Sequence, residues 1–155
     1  LIFLGISCKP KASCGKQTFN NTQEYLGYIQ KQQNKIDSAM LNLSRSFETG
    51  SEKNIRLRYQ QLLNICDTVL LETRNLTGYN SDESVKKATW SLFSFYNDIF
   101  HQEYQELLEI LLSEQLPGNE EHNRASVVLE KVKLREDSLK KSLSDSLALF
   151  VERNK

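Results

Sequence analysis

Four stretches of the chain carry apolar residues at alternating steps of three and four, the spacing that keeps one face of an α-helix apolar. In the first, from about Asn21 to Glu48, the recurring positions are Leu26, Ile29, Gln33, Ile36, Met40, Leu43 and Phe47. Asn21 followed by Glu24 makes a capping-box start, with Asn in place of Ser or Thr. Gly50 suits a left-handed helix end, and Ser51 suits the next N-cap. The second stretch, from about Glu52 to Leu76, repeats the spacing at Ile55, Tyr59, Leu62, Cys66, Val69, Thr73 and Leu76, with Leu63 and Leu70 widening the stripe. Gly78 is expected to stop it, and Asn80 or Ser81 to cap the third helix.

The third stretch, from about Asp82 to Leu116, reads as one long helix. Asp82 and Glu83 fall in its first turn, where they oppose the helix dipole favourably. Its core arc holds Val85, Thr89, Leu92, Phe93, Tyr96, Ile99, Phe100, Leu107, Ile110 and Leu111. Pro117-Gly118-Asn119 stops it. The fourth, from about Glu120 to Val151, points Ala125, Val128, Val132, Leu139, Leu143, Leu147 and Phe150 inward. Long helices joined by short connections run antiparallel to their neighbours. The fold expected over residues 21–155 is an all-α, up-down-up-down antiparallel four-helix bundle.

Composition narrows the function classes. The chain has 155 residues, with 6 Gly and 2 Pro, too few turn residues for a sandwich of many short strands. The charge is balanced, 20 Lys+Arg against 20 Asp+Glu, so no basic surplus points to nucleic acid. The chain opens on Leu1 rather than Met. Residues 1–7, Leu-Ile-Phe-Leu-Gly-Ile-Ser, read as the tail of a signal-peptide apolar region, and the aperiodic residues 8–20 as a tether. The small residue Ser7 before Cys8 matches the box at which bacterial lipoproteins are lipidated, although Gly5 stands where that box usually has Leu. Cys8 is therefore the expected lipid-attachment residue. Two or three acyl chains there would give stable membrane anchoring. Of the other cysteines, Cys66 lies on the second apolar face, where a buried thiol is expected, and Cys14 lies in the tether.

Little in the chain carries chemistry. There is no Gly-rich phosphate loop, no Gly-x-Ser-x-Gly and no paired histidines with an acid, so no catalytic residue or cofactor is expected. Asp98-x-x-His101 imitates half of a bundle di-metal motif, but His122 has no matching acid, so no metal is expected either. Two sets of residues stand out instead. Arg58, Glu103 and Arg135 sit near the centres of apolar arcs, which predicts a buried polar layer in which Glu103 pairs with Arg135 or with Arg58. Trp90, His101, Tyr104, Leu108 and Leu112 form a second stripe on the third helix, which predicts a surface for an unidentified protein partner or a homodimer. Asn20, Asn42 and Asn75 each begin an Asn-x-Ser/Thr triplet, which bears on a secreted, cytokine-like reading if the source is eukaryotic.

The run Phe93-Ser-Phe-Tyr-Asn-Asp-Ile-Phe-His-Gln-Glu-Tyr104, with a helix before it and a Lys/Glu-rich helix after, resembles a family of small surface lipoproteins of spirochaetes and Bacteroidetes whose function is uncharacterised. The similarity extends over roughly Glu24 to Asn154. It implies an envelope location, at the outer membrane or the periplasmic face, and supplies no catalytic residues. The expected function is a lipid-anchored, non-catalytic protein-interaction module. The alternatives are a carrier of a small apolar ligand inside the bundle and a secreted cytokine-like ligand.

Overall fold

The computed structural model describes residues 17–112 and 119–154. The expected signal-peptide tail at residues 1–7, Cys8, Cys14 and the expected stop at Pro117-Gly118 lie outside the described residues. The described chain is an all-α bundle: α1 Thr22–Thr49, α2 Glu52–Arg74, α3 Ser84–His101, α4 Glu103–Leu112 and α5 Asn119–Arg153. No described helix is long and apolar enough to cross a membrane.

The helix ends follow local hydrogen-bonding needs. Asn21 Oδ1 accepts the Glu24 amide at 2.8 Å, which satisfies one of the first-turn donors. The Glu24 carboxylate reaches back to the Asn20 amide at 2.9 Å, one residue earlier than in a standard capping box. Ser51 Oγ accepts the Asn54 amide at the start of α2. Gly50 is not left-handed: its φ is −91°. A Cβ there would lie 2.3 Å from the Ser46 carbonyl oxygen, so close approach of backbone, not handedness, excludes other residues. Nor does Gly78 stop α2. That helix ends at Arg74 with Asn75 as its C-cap. Asn80 and Ser81 are the residues with positive φ, at 50° and 66°, so neither caps α3. The N-cap is Glu83, which makes no side-chain cap bond; Asp82, one residue earlier, accepts the Ser84 amide on its Oδ1 at 2.8 Å.

Along α2 and just past it, the predicted stripe from Ile55 to Leu76 is buried, with Leu70 alone of its positions only partly so. The α1 stripe is displaced by one residue. Ile29, Ile36 and Leu43 are buried as expected, but their partners are Tyr25, Gln32, Ala39 and Ser46. Leu26 and Met40 pack at the flank, and Phe47 is 41% exposed. Both sets repeat every seven residues. The more apolar line lost to the one whose small Ala39 and Ser46 let a neighbouring helix come close. On α5, Val132, Leu143 and Phe150 are buried, while Val128, Leu139 and Leu147 pack partly exposed against the core.

The third predicted helix is two. Gln102 leaves helical geometry at φ −120° and ψ −82°, which separates α3 from α4. Neither Pro nor Gly is nearby. Across the break the ladder runs through Gln102 N–H to Asp98 O and Glu106 N–H to Gln102 O. The Phe100 carbonyl instead accepts the Tyr59 hydroxyl from α2. A side chain inserted into the ladder is a known cause of a helix kink.

Cross-helix contacts fix the order of packing. As numbers rise along α2 through Arg56, Tyr59 and Asp67, their partners fall through Glu109, Phe100 and Asn97. Tyr96 donates to Glu136 at 2.8 Å between α3 and α5, and Lys35 bonds Glu72 at 2.9 Å between α1 and α2. Cys66 is a free thiol, buried in the core, and burial pushes it up to about 12.

Candidate functional site

α3 packs along α5, but beyond the break α4 approaches α5 at only a few points and α1 at fewer still. The unfilled wedge is a cleft of about 380 Å³. Met40, Leu43, Ser44 and Phe47 line it from α1, and Tyr59 and Leu62 from α2. Phe100 at the end of α3 and Leu129 of α5 complete two further sides. The remaining wall is α4, through Tyr104, Leu107, Leu108, Ile110 and Leu111. Leu107 and Leu108 are buried, whereas Leu111 at the rim is 64% exposed.

The lining is apolar apart from three side-chain hydroxyls, on Ser44, Tyr59 and Tyr104. Burial pushes the Tyr59 hydroxyl up to about 12, helped by the charge of Glu109, and it is already engaged on the Phe100 carbonyl. Burial also raises Tyr104, with Glu136 adding to the effect. Both phenols are therefore protonated at neutral pH. The lining residues include no carboxylate, amine, imidazole or thiol. Such a surface can desolvate hydrocarbon, with the three hydroxyls as its polar points.

The five residues of the predicted interaction stripe fall into different surroundings. Tyr104 and Leu108 line the cleft, and Tyr104 sets its ring edge-on to Phe100 at 4.9 Å. Leu112 packs partly buried against the core, and Trp90 is half-buried. His101 is exposed, its Nε2 3.0 Å from Asp67 Oδ1, which also accepts from Asn97 Nδ2 at 2.7 Å. The break at Gln102 separates His101 from Tyr104 and ends the continuity that a single helix would have given.

The predicted polar layer is likewise dispersed. The Arg135 guanidinium lies 5.1 Å over the Phe95 ring. Arg58 donates to Gln61 at 3.0 Å on its own helix. Glu103 is half-buried at the start of α4, with its Oε2 lacking a hydrogen-bond partner, so it pairs with neither arginine. The polar residues that are buried are small or neutral: Gln32, Ser46, Thr73 and Thr89. Ser46 and Thr73 satisfy themselves on carbonyls one turn back, Leu43 O and Val69 O. Of the three, Arg135 is exposed, whereas Glu103 keeps a buried carboxylate oxygen without a partner.

Sequence reasoning missed Tyr59. At its position a tyrosine looks like any core aromatic, and only the buried hydroxyl, which must find an acceptor, hints at a further role. Among the described residues no group of three or more His, Cys, Asp or Glu could hold a metal ion. No known protein-family model, curated protein or solved structure matches the chain.

Proposed function

We propose that this protein is a non-catalytic binder of a hydrocarbon chain, held in the cleft between α1, α4 and α5. The observation that carries the reading is the cleft itself, about 380 Å³ lined by aliphatic and aromatic side chains. That volume is within the range of small-molecule sites. It is roughly a dozen times the ~30 Å³ share of a liquid water, space for the body of one chain. A sugar, nucleotide or peptide backbone would leave polar groups unpaired there, at a cost of about 1–3 kcal/mol each. A hydrocarbon chain leaves none. The apolar-carrier alternative thus gains over the protein-contact reading, whose stripe is dispersed. The Ser7-Cys8 box of the sequence supports anchoring such a binder at an envelope membrane.

Binding of cis-parinaric acid, followed by its fluorescence, tests this. Wild type should bind saturably with one site per chain. Ser44→Trp, at an exposed position on the cleft wall, should fill the space and abolish binding without lowering the urea midpoint. Binding that is absent in wild type, or unchanged in S44W, overturns the reading.

A further inference from the structure

The cleft wall formed by α4 is held from one face of α2. Residues 56 and 59 are three apart, so they stand on adjacent turns of the same face. Tyr59 holds the end of α3, beside the break from which α4 starts, through its hydroxyl on the Phe100 carbonyl. Arg56 holds the middle of α4. Its Nη1 and Nη2 donate to the two Glu109 carboxylate oxygens at 2.6 and 3.0 Å, while its Nε donates to Glu52 at 2.7 Å. This pairing raises the Arg56 guanidinium further above its ordinary range and holds the Glu109 carboxyl below its own.

These two polar attachments to α2, beside the burial of Leu107 and Leu108, differ in kind. The first is buried and anchors a point where the backbone has already left the helix, at Gln102. The second is exposed on both sides, with 43% and 56% of the side-chain surfaces open to water. A ten-residue helix has little stability of its own, so its position depends on what holds it. Exposed pairs are weak and are screened by salt, which suits a hold that must release.

We propose that α4 is a hinged wall of the cleft. It turns about Gln102, with the Tyr59–Phe100 bond as the pivot and the Arg56–Glu109 fork as the latch. Opening the latch lets the chain enter and leave. The purpose of the motion rests on the hydrocarbon-binding reading, but the hinge has its own readout. Hydrogen exchange of the α4 amides would be compared in wild type, Arg56→Gln and the charge-swapped double variant R56E/E109R. The parinaric acid dissociation rate would be followed in parallel. In R56Q, exchange across residues 103–112 should rise about two- to fivefold, while α2 and α5 amides keep their rates. The swapped pair should restore slow exchange. About 1 M salt, where the Debye length falls to ~3 Å, should bring wild type toward R56Q. Probe release should quicken by the same factor. Unchanged α4 exchange in R56Q overturns the latch, whatever the probe does. Faster exchange in R56Q, with no probe bound by wild type, keeps the hinge and overturns the ligand reading.

Discussion

The two ends of this bundle are built from the same helices and solve the same problem differently. At one end Phe19, Tyr25, Tyr79 and Phe150 close on each other, with Tyr25 and Tyr79 stacked at 5.7 Å and Tyr25 and Phe150 at 5.4 Å. Polar ties draw the connecting segments over that cluster: Thr77 to the Gln17 carbonyl at 3.2 Å, Asn80 to Asn154 at 2.9 Å, and Arg153 to Asp82 at 3.2 Å. At the other end α4 leaves the line of α3, and a cleft opens where a continuous helix would have packed. Large aromatics on three neighbouring segments fill a helix end. At the open end a tyrosine hydroxyl sits on the carbonyl beside the break instead.

The contrast can be broken most strongly at the closed end. Phe150→Ala, at a fully buried ring, should cost about 3–5 kcal/mol, read as a lower urea midpoint at unchanged slope. Leu129→Ala at the open end starts from a side chain 45% exposed and should cost less than about 1 kcal/mol. Equal losses at the two positions would remove the distinction between a packed end and an open one.

An intermediate effect is expected at the pivot. Tyr59→Phe keeps the ring but takes the donor from the Phe100 carbonyl, and should cost about 1–3 kcal/mol. It should also slow exchange at the amides of residues 103–105, because the freed carbonyl invites the ladder to close. A thermal or urea midpoint equal to wild type, with unchanged exchange, would mean that something other than Tyr59 breaks the helix.

The smallest effect is in acid. The Ser84 hydroxyl and amide, with Arg153, hold the Asp82 carboxyl below its ordinary range. A depressed carboxyl contributes stability above its unfolded pKa of about 3.9, and that contribution is lost as pH falls through the lower folded value. Asp82→Asn should therefore flatten the fall in stability below about pH 5. A wild-type slope in the variant would show that this carboxyl contributes nothing.

How legible each feature is in the sequence depends on how it is encoded. The α2 face can be read residue by residue because its two seven-residue lines, apolar but for Thr73, have no competitor. On α1 two adjacent lines compete, Tyr25/Gln32/Ala39/Ser46 against Leu26/Gln33/Met40/Phe47, and hydropathy favours the second. Helix approach favours the first, and approach distance has no signature in a single chain. The break at Gln102 is further from reach, since its cause sits on another helix and leaves no Pro, Gly or cap beside it. The cleft depends on that break, so its lining could be recognised only as scattered members of an over-wide apolar arc, Tyr104 and Leu108 among them. The Glu103–Arg135 pair fails for a related reason. Arg135 turns onto the face of Phe95 while Glu103 stays half-buried, a divergence of rotamers that a helical wheel does not show.

The burial of Cys66 also has a kinetic meaning. A thiol pushed up to about 12 is almost wholly protonated at neutral pH, and only the thiolate reacts. The native molecule is thus chemically silent at that sulfur. Every alkylation event at Cys66 records an excursion in which α2 has come away from its neighbours, so site-resolved labelling over time is a clock for the opening of the core that needs no engineered residue.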